Sequence, residues 1–163
     1  DIPDVGRMAV IVDPQGADAR ALLHEAAIEA RELYPDLHDP NTPFPTNPPN
    51  PPRGIYLLVY GGNFPVASGA LRPIDESAVE IRRMYVLKKF RRRGIAQMML
   101  EALEREAARF GYNLMRLETG YKQHSAMRLY EAYGFTRIPA FGPYADDPSS
   151  ICFEKLVAKR FAV

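Results

Sequence analysis

Residues 91–96, Arg91-Arg92-Arg93-Gly94-Ile95-Ala96 (RRRGIA), separate a run of β-formers, Val79 to Val86, from a segment with helical periodicity. Apolar residues follow at Ile95, Met98, Met99, Ala102, Leu103, Ala107 and Phe110, the i, i+3, i+4, i+7 recurrence of one buried stripe. Glu101, Glu104, Arg105 and Arg109 are expected to face solvent, and Gly111 gives the stop signal. The first amides of a helix lack intrahelical acceptors and together carry roughly half a positive elementary charge, so an anion beside Gly94 is favoured. Glycine in the turn lets that anion approach the backbone. The loop has a single glycine before the helix and no Gly-Lys-Ser/Thr ending, so it is neither a GxGxxG fingerprint nor a P-loop. A nucleoside triphosphatase is therefore not indicated.

Working outward, Met8 to Val12 reads as a first strand and Ala17 to Leu33 as a helix, with Ala21, Leu22, Ala26, Ile28 and Leu33 supplying apolar surface. The segment Pro35 to Pro52 holds eight of the fifteen prolines, which remove amide donors and fix φ, so an extended loop is expected there. A long loop in a compact domain is often a binding wall, and its prolines would lower the cost of ordering it. His38, Asp39 and Phe44 are then candidates to meet a substrate. Ile55 to Tyr60 and Val66 to Leu71 flank a turn at Gly61 to Pro65 and read as a hairpin. Asn113 to Thr119 reads as a strand, Ser125 to Tyr133 as a helix ended by Gly134, and Ile151 to Val157 as the last strand, with a loop over Ile138 to Ser150. In that loop Tyr144 is a candidate to close a pocket and Asp146 or Asp147 to attract a cationic amine, although solvated turn residues are the commoner reading of the two aspartates. The resulting order of elements implies an α/β layer around a mixed sheet.

A chain of 163 residues, 47% hydrophobic and 25% charged, can bury the core of a single domain spanning residues 1–163. The basic run Lys88, Lys89, Arg91, Arg92 and Arg93, with Arg82 and Arg83 nearby, raises nucleic-acid binding, but a net charge of only +1 and a lack of interleaved aromatics beyond Phe90 argue against it. The longest apolar runs are too short to cross a bilayer, and the acidic N-terminus has no signal-peptide pattern, so the expected location is cytoplasmic. The lone Cys152 excludes an internal disulfide framework and reads as a buried strand residue. His24, His38 and His124 have no metal-ligand spacing, so no metal is expected.

The motif R-x-x-G-x-A after a strand, with Gln123 to Phe135 (QHSAMRLYEAYGF) downstream, resembles the GNAT superfamily of acetyl-CoA-dependent N-acetyltransferases over roughly Ile55 to Leu156. The resemblance implies a GNAT-like α/β fold (α+β layered), with a mixed, mostly antiparallel central sheet flanked by helices and a parting of strands at the cofactor site. It implies acetyl-CoA as co-substrate, with the pantetheine arm on the backbone of Met84, Tyr85 and Val86 and the Met84 amide polarising the thioester carbonyl. Arg91, Arg92, Arg93, Gly94, Ile95, Ala96 and Gln97 would hold the pyrophosphate. Gln123 stands where the family usually has asparagine and keeps a carboxamide for a cofactor contact. Tyr130 corresponds to the phenol that acts as acid toward the departing thiolate.

Attack also needs a neutral amine, and an alkylamine of pKa about 10.4 is deprotonated to only about one part in a few thousand at pH 7. Two carboxylates occupy positions used as base in different branches of the family: Glu80, as in histone-acetylating members, and Glu118, as in those that acetylate ribosomal-protein N-termini. Strand parity places Glu80 on the face of Met84. Each glutamate is alternatively a structural partner of Arg82, Arg83 or Arg116. The implied activity is transfer of an acetyl group to the primary amine of a small molecule by direct attack in a ternary complex. Protein lysine or N-terminal acetylation, and a non-catalytic acyl-CoA-binding regulatory module, are the alternatives. The expected partner is a small-molecule amine, with neither nucleic acid nor membrane; a homodimer is one option for an oligomeric state that the sequence leaves open.

Overall fold

A computed structural model describes residue 6 and residues 8–161. The N-terminal residues read above for a signal peptide, 1–5 and 7, lie outside them. The elements run β1 (Val10–Ile11), α1 (Ala17–Leu33), β2 (Ile55–Gly61), β3 (Phe64–Pro73), β4 (Ala78–Val86), α2 (Ile95–Arg109), β5 (Leu114–Gly120), α3 (His124–Tyr133), β6 (Thr136–Ile138) and β7 (Ser150–Leu156). They form one seven-stranded sheet in the order β1-β2-β3-β4-β5-β7-β6. Among the described residues only the β4–β5 pair is parallel. This is the mixed, mostly antiparallel sheet expected. The first strand is shorter than Met8 to Val12, and β6 falls in a stretch the pattern left unassigned.

The helices occupy opposite faces. On one side, α2 buries Ile95, Met99, Leu100, Leu103 and Ala107 against Leu57, Val59, Leu71, Val79 and Ile81, and Tyr130 of α3 joins the same core. Each fully buried leucine or methionine there contributes about 1.5–3 kcal/mol. On the other side, α1 packs Ala19 and Leu22 against Tyr56, Leu58 and Ala70. Gly69 lets α2 come close, since a Cβ there would lie 2.9 Å from both Leu103 and Met99.

Glu104 departs from the expected solvent-facing position. It has no exposed surface. Its carboxylate accepts hydrogen bonds from Tyr133 Oη, Lys155 Nζ and the Ala158 amide, each at 2.7 Å. Burial is the largest single influence on its pKa and raises it, but these bonds together outweigh burial and hold it below the ordinary carboxylate value. The hydrophobic stripe of α2 thus carries a buried charge, tolerated because it is paired.

Two irregularities position the site. Between β3 and β4 the register shifts after Ser68↔Tyr85 and resumes at Ala70↔Arg82, so Arg83 and Met84 together oppose Gly69. Arg83 takes φ +60°, the left-handed region that L side chains rarely enter. Between β4 and β5, pairing stops at Ile81↔Leu117, so Arg82 to Val86 lose their β5 neighbour and the two strands part.

Candidate functional site

The loop before α2 has the geometry that its sequence suggested. Arg92 and Gly94 take φ +64° and +77°, and a Cβ on Gly94 would meet nothing within 4 Å. No side chain caps α2, and its first backbone bond runs from the Met98 amide to Gly94 O, 3.0 Å. Among the described residues, the amides of residues 92–97 therefore donate to no backbone acceptor and converge on an open helix start. This donor set fits a pyrophosphate.

The cations of the basic run divide by partner. Arg91 forks onto Glu29 of α1 at 2.8 and 2.7 Å, donates from Nε to Val86 O, and gives its amide to Lys88 O. Arg91 thus clasps α1 to the loop with its side chain, while its backbone amide closes a turn within the loop. The neighbouring Glu29 keeps its guanidinium pKa above the ordinary value. Arg82 lies 4.0 Å from Glu80, and Arg83 donates from Nε to Asn47 Oδ1 at 2.9 Å. Arg92 and Arg93 stay exposed beside Gly94, without an ion pair among the described residues. Gln123 precedes α3, and its carboxamide makes no hydrogen bond among the described residues.

Where β4 and β5 part, both candidate bases lie on the α1 side of the sheet. Glu80 is buried, and its Oε2 accepts a 2.6 Å hydrogen bond from Tyr144 Oη. Burial and then Glu80 push the Tyr144 phenol well above its ordinary pKa. Glu118 Oε2 accepts from Ser150 Oγ at 2.6 Å, while Oε1 accepts nothing among the described residues. Burial raises the Glu118 pKa above the ordinary 4.5; the Ser150 bond opposes this, and Asp147 and Glu80 add to it. The parity reading of Glu80 and Met84 does not hold, because the bulge at Arg83 shifts the alternation. Met84 packs toward the α2-side core, whereas Glu80 shares the other face with Arg82, Arg116 and Glu118.

Tyr130 is buried between the rings of Phe135 and Phe153, at 5.9 and 6.1 Å, and its hydroxyl has no hydrogen bond among the described residues. Desolvation, with a smaller push from Glu118, raises the phenol to about 12. Against a thiol of ordinary pKa about 8.5, proton transfer from such a phenol is uphill by roughly 3.5 units. Tyr130 therefore stays protonated throughout the physiological range. Cys152 pairs across the strands with Glu118, and its thiol is raised by burial. It is the buried strand residue expected.

On the α1 side, a pocket of about 400 Å³ lies between α1, the proline-rich loop and the bulge in β4. His38, Thr42, Pro43 and Pro45 line it from the loop, with Tyr56, Arg83, Met84 and Tyr85 on the sheet side. Of the loop residues singled out in the sequence, His38 reaches the pocket. Phe44 instead packs at a tilt against His24 under Arg31, and Asp39 closes a turn by accepting from the Asn41 amide. Asp147 likewise accepts from Ser149 within its own turn. Sequence reading missed Tyr56, whose only signal is a phenol at the α1-facing parity of β2, and Asn47, which an isolated polar residue among prolines does not announce.

The acetyltransferase (GNAT) family profile matches residues 19–135. An IAA acetyltransferase of Azospirillum brasilense is 40% identical over 101 residues, 61% of this chain and 66% of that protein. A Klebsiella pneumoniae subsp. pneumoniae MGH 78578 structure assigned to the acyl-CoA N-acyltransferases is 31% identical, with a TM-score of 0.74, and covers 94% of this chain and 100% of its own. A GNAT family acetyltransferase from Elizabethkingia anophelis, solved with acetyl-CoA bound, shares the fold at 18% identity and a TM-score of 0.67 over 94% of this chain and 98% of its own.

Proposed function

The chain belongs to the GNAT acetyltransferase family, and from that premise we propose that it moves an acetyl group from acetyl-CoA to the primary amine of a small molecule, by direct attack in a ternary complex. One observation carries the reading: the parted edge of β4 meets a free helix start on one side and a pocket of about 400 Å³ on the other. A loop-walled pocket of that size suits a small acceptor better than a protein surface.

Acetyl-CoA would supply the activated acyl group. The amides of residues 92–97, with Arg92 and Arg93, bind its pyrophosphate, and the backbone of Met84, Tyr85 and Val86 aligns the pantetheine arm. Gln123 offers its unpaired carboxamide. The Met84 amide polarises the carbonyl under attack. Glu118 takes the amine proton, directly or through water, because its Oε1 is unpartnered and its raised pKa narrows the gap to the amine. Glu80 holds Tyr144 over the cleft and supports the local field. Tyr130 keeps its proton and donates a hydrogen bond to the charge developing on sulfur. Burial that raises the phenol also raises the proton affinity of a thiolate in the same surroundings, which narrows the uphill gap.

The test is thiol release from acetyl-CoA across a panel of small amines and of peptides. Turnover with small amines is expected. Turnover with peptides alone would assign protein acetylation, and acetyl-CoA binding without turnover on any amine would assign a non-catalytic sensor.

A further inference from the structure

The α1-side pocket contains a cation and a phenol that the protein itself does not satisfy. Arg83 is half-buried, and among the described residues it contacts no carboxylate. Its polar contacts are neutral: Nε to Asn47 Oδ1 at 2.9 Å and NH2 to Thr46 O at 3.5 Å. Tyr56 is only 3% exposed, and its hydroxyl has no hydrogen-bond partner among the described residues. Neighbouring Asn47 gives one side-chain amide proton to Pro14 O at 2.8 Å and takes Arg83 Nε on its Oδ1, so the Tyr56 hydroxyl has no acceptor for its own proton among the described residues. Both groups line the same pocket, and none of the residues lining it is acidic.

A buried hydroxyl without a partner and a desolvated guanidinium without a counter-ion are both unfavourable, and both are relieved by one anion. The backbone is held to this arrangement despite the strain at Arg83. Ser68 Oγ donates to Arg83 O at 2.6 Å, which fixes the bulge, and the arginine side chain runs to Asn47 and Thr46 of the proline-rich loop. Strain maintained by surrounding contacts is a mark of functional positions. Apolar surface from Leu23, Ala26 and Ala27 completes the wall opposite.

We propose that Arg83 and Tyr56 form an anion subsite that selects an amine acceptor bearing a carboxylate, an amino-acid-like molecule, with its carboxylate on the guanidinium and its amine directed toward Met84. The assignment rests on the acetyl-transfer reading above and deepens it. Arg83 presents a charged donor and Tyr56 a second, neutral one, so two oxygens of one carboxylate are served. The small-residue wall of α1 accommodates the acceptor's side chain.

The experiment compares matched amines, an amino acid against its amide and its decarboxylated amine, on wild type, Arg83→Asn and Tyr56→Phe. Asparagine tolerates the left-handed backbone at 83 while removing the cation. In wild type the carboxylate-bearing member is expected to have a kcat/KM about 10- to 100-fold higher, as for a charged hydrogen bond. Arg83→Asn should abolish that ratio through KM of the amine and leave KM of acetyl-CoA unchanged. Tyr56→Phe should lower the ratio while leaving the unfolding midpoint unchanged or raised. Equal turnover of the matched amines by wild type, or an equal loss on both in Arg83→Asn, overturns the subsite and leaves acetyl transfer standing. If acetyl-CoA binds but no amine turns over, acetyl transfer fails, and the subsite is read from calorimetric binding of an N-acetyl amino acid against its amide. Equal affinity for those two overturns it, and tighter binding of the acid supports it.

Discussion

Replacing Glu118 with glutamine separates catalysis from structure, because glutamine keeps the shape and leaves an oxygen to accept the 2.6 Å bond from Ser150 Oγ. What disappears is the proton-accepting oxygen. A positioned base contributes about 10²- to 10⁴-fold in rate, equivalent to about 2.7–5.5 kcal/mol of barrier. A comparable loss in kcat is expected for Glu118→Gln, with little change in the unfolding midpoint. The pH profile gives the sharper reading. Glu118 is raised above 4.5 by burial, so activity that needs its carboxylate should rise with pH along an acid limb whose midpoint lies above that value. Measured as kcat at saturation, the profile reports groups in the complex rather than the free amine. Glu118→Gln should remove the limb. Glu80→Gln should retain it and lose about tenfold or less, since the Tyr144 hydroxyl can still donate to the carboxamide oxygen. Wild-type kcat in Glu118→Gln with the limb intact would refute the assignment; loss of the limb in Glu80→Gln instead would transfer the role to Glu80.

Tyr130→Phe should lower kcat at least tenfold and cost less than about 1 kcal/mol in urea unfolding, because the hydroxyl has no partner among the described residues. Gly94→Ala should weaken acetyl-CoA binding in calorimetry and destabilise the fold by about 1–2 kcal/mol, through the left-handed φ of +77° rather than any clash. Lys155→Met leaves the buried Glu104 carboxylate without its cation and should cost about 3–5 kcal/mol at pH 7, a fall of roughly 6–20 °C in Tm. In wild type the Glu104 pKa is lowered, so its stabilising contribution is present above about 4.5 and lost as pH falls through the folded value. The deficit of Lys155→Met should therefore shrink toward pH 4, and a deficit independent of pH in thermal melts would show that packing, not the stranded charge, is responsible.

The parts of the fold legible in the sequence are those set by short-range pattern. Residues Ala17–Leu33 form a helix over the span their periodicity indicates, and Gly111 and Gly134 follow α2 and α3 in the left-handed conformation that ends a helix. β6 was missed because three residues, Thr136–Ile138, are too few for alternation to register. Glu104 was misplaced because hydropathy assigns a carboxylate to water, and the lysine that overrides this is 51 residues away in the chain. The uncapped helix start with its left-handed Gly94 was readable because it depends on local backbone, whereas the pocket joins Tyr56, Arg83 and His38 from three separate segments.

The bulge is the exception, since its signal is in the sequence. In Val79-Glu80-Ile81-Arg82-Arg83-Met84-Tyr85-Val86, alternation runs apolar-in and polar-out until Arg83, which falls where an inward apolar residue is due. A regular strand would bury the Arg83 guanidinium against Met99 and Leu103 and turn Val86 outward. Burying an unpaired charge costs several kcal/mol, whereas one residue at φ +60° costs about 1–2 kcal/mol. The chain therefore inserts a residue at this point. Arg83 leaves the α2-side core, Met84 replaces it, and Val86 returns to the core at 8% exposure. The same slip puts Arg83, itself a residue of the parted edge of β4, in the α1-side pocket. One break in alternation thus places a pocket cation on the unpaired strand edge itself, next to the Met84 amide.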